Sequence, residues 1–283
     1  MISLDDWERG GTFTTLQGHR IFCREGGQRS APALVLIHGF PTASWDFEAL
    51  WTPLCARFRV ITLDMLGFGF SDKPDAPYSI LRQADLFEAR LAELGVTDFH
   101  VLAHDYGDTV AQELLARGTP KSVCFLNGGL FPESHRPLAV QKLLLSPIGK
   151  FVARLTTRAR FEQNLRRVFS PKNPPSPELL EGYWALLMRG GPQVMARLIH
   201  YMPERVQHRE RWVGALMKAA VPLKLIDGAD DPVSGRHLAA RYRELVPSAD
   251  VTLLEGVGHY PQVEAPQPVL DAYLQFRGPE PRA

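Results

Sequence analysis

The chain has 283 residues, of which 45% are hydrophobic, 22% charged and 10% aromatic, a composition typical of a soluble globular protein. The 32 Lys and Arg residues balance the 31 Asp and Glu residues to a formal charge of +1, which argues against a surface built for nucleic acid. No apolar run is long enough to predict a membrane span, and no signal peptide is recognisable. Three widely spaced cysteines without a Cys-x-x-Cys pair complete the prediction of a reducing, cytoplasmic location.

The overall charge conceals two blocks of opposite sign. Residues 131–220 contain 15 Lys and Arg against 6 Glu and no Asp, for a net charge of +9. The other residues contain 17 Lys and Arg against 25 Asp and Glu, for a net charge of −8. This pattern indicates a basic insert within an acidic body. It leaves open the hypothesis of peripheral contact with an anionic membrane, beside the plainer interpretation of solvated helices.

Short apolar runs alternate with helical patterns along most of the chain. Residues 12–16 and 20–24, joined by Gln17-Gly18-His19, predict a hairpin. Runs typical of strands buried on both faces follow at 33–37, 58–63, 99–103, 122–126, 222–226 and 251–254. Helical patterns lie between them at 83–94, 106–117 and 237–245. This alternation predicts an α/β fold with a mostly parallel central sheet flanked by helices.

The alternation stops in residues 131–220, where no buried strand is predicted. Helical segments at 140–145, 151–169, 177–189 and 193–201 are separated there by loops containing Pro and Gly. Because the same boundaries carry the charge shift, we predict a core of residues 1–130 and 221–283 with an inserted helical cap, residues 131–220.

The strongest chemical signal is the segment Ala103-His104-Asp105-Tyr106-Gly107, where a predicted buried strand runs directly into a helix. Small residues two positions on either side of Asp105 fit a nucleophile elbow, a sharp turn that exposes its central side chain above the strand ends. The alternative interpretation is that Asp105 only caps the following helix.

Two later loops supply partners in the chain order that an elbow requires: nucleophile, acid, histidine. Asp231 follows the strand predicted at 222–226, and His259 follows the last predicted strand. We expect His259 to act as a general base on water and Asp231 to orient it, with Asp230 as the competing carboxylate. The alternative for His259 is an ordinary surface-loop histidine.

Backbone donors for the same site are predicted from two turns. His38-Gly39-Phe40-Pro41 follows the first long buried strand, so the N–H groups of Phe40 and Tyr106 are candidates for an oxyanion hole. The alternative is that this segment is only a sharp turn. We interpret His38 and His104 as structural residues near the site.

Motifs for cofactors are missing from the sequence. Gly67-Phe68-Gly69 has no third glycine and no helix start, no Gly-Lys-Ser/Thr phosphate loop occurs, and the nine histidines show no metal-ligand spacing. The sequence therefore predicts no cofactor, no metal and no nucleic-acid partner.

Taken in order, these motifs resemble the α/β-hydrolase superfamily, in the branch of epoxide hydrolases and haloalkane dehalogenases. The resemblance is carried by residues 38–41, 67–71 and 104–107, by Asp231 and by His259. Longer segments at 63–74, 104–115, 127–137 and 211–216 are similar to the mesoderm-specific transcript proteins and their bacterial relatives. The resemblance implies an α/β-hydrolase fold with a helical cap, an Asp105–His259–Asp231 triad and a small apolar organic substrate.

An aspartate nucleophile favours a particular chemistry. Asp105 is anionic at neutral pH, so it can displace a leaving group from a saturated carbon and form an alkyl ester, which activated water then hydrolyses. An epoxide leaves as an alkoxide and needs an acid, which in epoxide hydrolases is a cap tyrosine. Tyr201 and Tyr183 are the candidates, with Trp184 beside the latter, unless these aromatic residues only pack the cap onto the body.

Three alternatives to an epoxide hydrolase stay open. A haloalkane dehalogenase usually holds the halide with side-chain N–H donors, and because Phe40 has none, unconventional donors such as the Trp184 N–H or the Tyr201 hydroxyl would have to serve. A non-catalytic member of the fold would bind a small molecule or lipid without turnover. A serine esterase is disfavoured because Ser134 and Ser234 lie outside any elbow.

Overall fold

A computed structural model gives the fold of residues 2–278, which form one eight-stranded sheet. The strands are β1 Thr12–Leu16, β2 His19–Gly26, β3 Ala33–Ile37, β4 Arg59–Leu63, β5 Phe99–Ala103, β6 Ser122–Phe125, β7 Leu223–Gly228 and β8 Asp250–Leu254. Their order across the sheet is β1-β2-β4-β3-β5-β6-β7-β8. β2 pairs antiparallel with both β1 and β4, and all other neighbours are parallel, which confirms the predicted fold class.

β1 and β2 form the predicted hairpin, but its loop is one residue shorter than expected. Only Gln17 and Gly18 connect the strands, and His19 already pairs with Leu16. The loop residues have φ angles of 51° and 78°. Positive φ at both positions gives a two-residue turn whose twist matches that of the strands, so His19 can extend the ladder.

The helices surround this sheet and fill the insert. Before residue 131 they are α1 Leu4–Arg9, α2 Glu48–Cys55, α3 Ile80–Glu93 and α4 Tyr106–Ala116. Between residues 131 and 220 they are α5 Ala139–Leu144, α6 Gly149–Arg154, α7 Arg158–Arg166, α8 Pro177–Met188, α9 Met195–Leu198, α10 Tyr201–Gln207 and α11 Arg209–Met217. After residue 220 they are α12 Arg236–Leu245, α13 Pro261–Glu264 and α14 Pro266–Arg277. Two 3-10 turns lie at Ser44–Phe47 and Pro192–Val194.

Two long helices expected in the insert are broken. The segment predicted as one helix at 151–169 forms α6 and α7, because the Thr157 side chain accepts a hydrogen bond from the Arg160 N–H and so caps a new helix. The helix predicted at 193–201 is a 3-10 turn followed by the single turn of α9. Pro203 has no N–H to return to the carbonyl of Ile199, so the chain starts a separate helix, α10, whose first turn tolerates proline.

The described residues of the insert contain no strand. The last helix of the insert, α11, packs against a helix of the body. α11 packs along α4, and Arg211 and Trp212 of α11 both donate hydrogen bonds to the carboxylate of Glu113 in α4. The division into a core and a cap at residues 131 and 220 stays a prediction.

The sheet order determines where a site can form. β4 lies on one side of β3 and β5 lies on the other. The connections that leave the carboxyl ends of β3 and β5 therefore run in opposite directions, which makes this place a switch point of the topology. Ile37 and Ala103, the last residues of these strands, are direct neighbours. The turns that follow them therefore place Phe40 beside Asp105.

Candidate active site

Asp105 lies in the sharp turn between β5 and α4, with φ of 50° and ψ of −104°. Positive φ is unfavourable for a residue other than glycine, so the surrounding packing must hold it. Gly107 makes the turn possible, because a Cβ there would lie 2.4 Å from the Ile37 carbonyl oxygen. The Asp105 N–H donates to the carbonyl of Asn127 at 3.0 Å. The turn has the geometry expected of a nucleophile elbow.

The Asp105 carboxylate is buried among positive and N–H groups. Its Oδ2 accepts a hydrogen bond of 3.0 Å from the Phe40 N–H, and its Oδ1 lies 3.8 Å from Nη2 of Arg205. Burial alone raises the pKa of Asp105, but His259 and Arg205 outweigh it and hold that pKa below its usual value. The group is therefore ionised at neutral pH. The Tyr106 N–H, at the first position of α4, is one of the donors that a helix leaves without an internal acceptor.

Asp231 and His259 form a hydrogen-bonded pair next to Asp105. His259 Nδ1 donates to Asp231 Oδ2 at 2.7 Å. Asp231 also accepts hydrogen bonds from the N–H groups of Val233 and Ser234, the Ser234 hydroxyl and the Asn127 side chain. Despite burial, these partners lower the pKa of Asp231 to about 2. The competing Asp230 is exposed, so Asp231 is the carboxylate that meets the histidine.

His259 carries an unusual proton affinity for a buried imidazole. Burial lowers its pKa, but Asp231 and Asp105 raise it to about 9. The imidazole therefore lies protonated between two carboxylates when the site is empty of substrate.

His38 and His104 support the backbone of the site. His38 accepts a hydrogen bond from the Met65 N–H at Nε2 and donates from Nδ1 to the Gly39 carbonyl. Nε2 of His104 donates to the carbonyl of His259 at 2.7 Å. Burial lowers the pKa of both rings, to about 3 for His104, so each is neutral.

A cavity of about 330 Å³ opens above these groups, with Asp105 and His259 in its wall. Most of the remaining wall is apolar and comes from α5, α6 and α7. Its residues from these helices include Val140, Leu143, Leu144, Val152, Phe161 and Leu165. The polar side chains on this side are Gln141, Thr156, Arg160 and Asn164.

The three aromatic residues expected to contact substrate do not line this cavity. Tyr183 packs edge-on against Trp45, because α8 turns its buried face toward the body. Trp184 is half-buried against Phe161. Tyr201 lies one layer behind the wall, with its ring 6.0 Å from that of Phe40.

Residues 34–272 match the sequence family described as alpha/beta hydrolases. The chain belongs to the alpha/beta hydrolase family. It is 42% identical to the mesoderm-specific transcript protein of Mus musculus, over 97% of this chain and 88% of that protein. It is 39% identical to the putative hydrolase LipZ of Mycobacterium tuberculosis, over 97% of this chain and 98% of that protein.

Solved structures agree on the fold of this alpha/beta hydrolase. The haloalkane dehalogenase DbeA from Bradyrhizobium elkani superposes with a TM-score of 0.82 at 22% identity, over 93% of this chain and 95% of that chain. The epoxide hydrolase CorEH superposes with a TM-score of 0.77 at 20% identity, over 94% and 97% of the two chains. These likenesses establish architecture, and the chemistry must be argued from the site.

This alpha/beta hydrolase has a site residue that the sequence did not reveal. Arg205 of α10 is buried; its Nε donates to the Thr109 hydroxyl at 2.6 Å and its Nη2 to the Asp105 carbonyl at 2.9 Å. Its guanidinium also covers the ring of Tyr201. The only local signal was its place four residues after Tyr201, and fourteen other Lys and Arg residues share the insert.

Within residues 2–278, no group of His, Cys, Asp and Glu side chains is arranged to hold a metal ion. In the same range, no helix has the length and apolarity needed to cross a membrane.

Proposed function

We propose that this hydrolase opens epoxides of apolar molecules through a covalent ester on Asp105. One observation carries the proposal: an ionised, buried carboxylate faces an apolar cavity beside a histidine that is paired with a second carboxylate. A serine-type hydrolase has no use for a fixed anion at the elbow, whereas displacement at a saturated carbon needs one.

In the first step, an Asp105 oxygen forms a bond to one epoxide carbon while the carbon–oxygen bond of the ring breaks. The leaving alkoxide takes a proton and becomes the first hydroxyl of the product. In the second step, neutral His259 removes a proton from water, and the hydroxide attacks the ester carbonyl of Asp105. The Phe40 N–H, already within 3.0 Å of Oδ2, stabilises the oxyanion that forms. The bond between the Asp105 carbonyl carbon and the substrate oxygen then breaks, His259 returns its proton to that oxygen, and the diol leaves with Asp105 restored as a carboxylate.

In this displacement, the Asp105 oxygen attacks the epoxide carbon from the side opposite to the oxygen that leaves. The group that donates a proton to the alkoxide must therefore approach from the side of the substrate away from Asp105. Tyr201 is our candidate. Its hydroxyl is buried, and its ring lies under the Arg205 guanidinium and 6.0 Å from the ring of Phe40, which lines the cavity. Phe40 is thus the side chain that must shift for the phenol to reach substrate.

A haloalkane is the second candidate substrate. Gln141, Asn164 and Arg160 supply N–H groups to the cap side of the cavity, and these would stabilise a halide without transferring a proton. On this alternative the same ester forms on Asp105, but Tyr201 has no chemical role.

The deciding experiment is to trap the ester. His259→Gln is incubated with an epoxide, and the peptide containing Asp105 is expected to gain the mass of the epoxide, because the ester forms but is not hydrolysed. Asp105→Asn should show neither adduct nor turnover. Asp231→Asn should lower turnover, because the Asp231 carboxylate accepts the hydrogen bond of His259. Asp230→Asn is its matched control, because Asp230 is exposed. Turnover by Asp105→Asn would exclude the mechanism.

The leaving group is tested with a substrate panel of epoxides, chloroalkanes and bromoalkanes. We expect Tyr201→Phe to slow epoxide opening by about 10²-fold or more, the usual contribution of a general acid, and to leave halide release unchanged. Halide release without diol formation in the wild type would favour the second candidate.

A further inference from the structure

Exposed apolar side chains are concentrated on one part of the molecule. Leu143, Ile148, Phe151 and Leu155 are 42%, 58%, 63% and 54% exposed. They lie on α5, on α6 and in the loops that flank α6, and the two helices pack against each other. Single exposed apolar residues are ordinary, but four on two adjoining helices and the loops beside them form a patch of the kind that marks an interaction site. We call residues 142–155 the cap patch.

The charge around the cap patch has one sign. Residues 136–161 contain six Lys and Arg residues and no Asp or Glu. Lys142, Lys150 and Arg154, within the patch itself, are exposed. The next acidic residue, Glu162, pairs with Arg158. The cap patch therefore combines exposed apolar side chains with positively charged ones and has no negatively charged residue of its own.

The substrate cavity opens at the same place. Leu143 lines the cavity and is also part of the exposed patch. Arg160 lines the cavity and is exposed, and Thr156 lines it and is half-exposed. An apolar molecule lying on the patch thus lies beside a mostly apolar cavity that has Asp105 in its wall.

We propose that the cap patch docks on the surface of an anionic lipid bilayer and that the cavity takes its apolar substrate from the lipid. The apolar side chains enter the acyl boundary, and the lysines and arginines pair with anionic headgroups. A second copy of the chain is a poor occupant, because it would bring two sets of the same cations together. The statement about substrate supply rests on the proposed function, whereas the docking does not.

Docking is tested by flotation of the full chain with vesicles of phosphatidylcholine, with and without phosphatidylglycerol. We expect binding to the anionic vesicles, weakened when NaCl rises from about 0.1 M to about 0.5 M. Ile148→Ser/Phe151→Ser should weaken binding about tenfold, since both side chains leave the lipid. Met188→Ser/Met217→Ser is the matched control, because it removes two exposed apolar side chains elsewhere and should bind like the wild type.

Three results would overturn docking: no vesicle binding by the wild type, equal binding to neutral and anionic vesicles, or unchanged binding by Ile148→Ser/Phe151→Ser. A concentration-dependent dimer that this variant abolishes, without vesicle binding, would assign the patch to a second copy instead.

Substrate supply is tested with one water-soluble epoxide and one long-chain epoxide dissolved in the vesicles. Ile148→Ser/Phe151→Ser should raise KM about tenfold for the vesicle-borne epoxide, in step with its binding, and leave KM for the soluble one unchanged. Equal effects on both substrates would overturn the supply of substrate from lipid. Turnover of neither substrate by a wild type that still binds vesicles would contradict the proposed function and leave the docking supported.

Discussion

At the scale of single residues, the charges on Asp231 and Asp105 both raise the pKa of His259, with Asp231 the larger contributor. In the empty site, Asp231 and Asp105 together raise the pKa of His259 to about 9, against the effect of burial. In the proposed mechanism, formation of an ester on Asp105 would remove one of these two negative charges. The pKa of His259 would then fall, which favours release of its proton to solvent at the stage of the proposed reaction that needs a base.

Asp105→Asn reproduces this loss of charge without substrate. We expect the pKa of His259 in this variant to lie about one unit or more below its wild-type value, as measured by NMR titration of labelled histidine. Asp98→Asn, a change at an exposed carboxylate, serves as the control. The same histidine pKa in Asp105→Asn and wild type would contradict the proposed coupling.

The raised pKa of His259 also makes stability depend on pH. Because the folded value of about 9 lies above the unfolded value of about 6.5, the protonated imidazole stabilises the fold fully below pH 6.5, and this contribution is lost as the pH rises to about 9. Urea unfolding should show the loss in the wild type. His259→Gln has no titrating group, so its stability should change less across that interval.

At the scale of the elements, one carboxylate joins α4 to α11. Glu113 accepts hydrogen bonds from Arg117 on its own helix and from Arg211 and Trp212 on α11. Burial raises the pKa of Glu113, but these donors lower it to about 2. The helix that bears Asp105 at its start is thereby fixed to the last helix of the insert.

Glu113→Gln should destabilise the protein by about 1–2 kcal/mol at neutral pH, because the amide cannot serve the same donors. The depressed pKa makes this stabilisation fully present above pH 4.5 and lost as the pH falls to about 2. The difference from the wild type in urea unfolding should therefore shrink in acid. Glu210→Gln, an exposed site on α11, should cost almost nothing.

The elements that the sequence predicted well are those with a strong local pattern. β3 and β5 match their predicted bounds because each is a short apolar run. The sharp turn at Asp105 was recognisable because Ala103 and Gly107, two small residues, lie on either side of it. The breaks in the insert were missed because they depend on Thr157 as a cap and on Pro203. The position of Tyr183 was missed as well, since only tertiary packing decides which face of α8 meets the body.

At the scale of the whole molecule, Arg205 ties the insert to the elbow. Its bonds to Thr109 and to the Asp105 carbonyl span 96 and 100 positions of the chain, so no local pattern could identify it. The same guanidinium helps to lower the pKa of Asp105. The insert therefore contributes to the charge state of the elbow as well as to the cavity wall.

Arg205→Met should raise the pKa of Asp105, because a nearby positive charge is lost. We expect the acid limb of the pH profile of kcat/KM to move to higher pH and kcat to fall. Arg209→Met, which breaks the partly exposed ion pair between Arg209 at the start of α11 and Glu133, is the control. If Arg205→Met lowers stability but leaves the acid limb of the kcat/KM profile in place, Arg205 stabilises the fold without affecting the pKa of Asp105.

The bond between Arg205 and Thr109 limits how this molecule can be recombined with its relatives. A chimaera that takes residues 131–220 from another family member imports whatever side chain that donor has at position 205, while Thr109 stays with the host. If position 205 of the donor segment cannot bond to Thr109 of the host, either the Thr109 hydroxyl or the introduced cation is buried without a hydrogen-bond partner next to Asp105. We therefore expect exchange of this segment to give a stable protein only when the donor has arginine at position 205 and the host has Thr109.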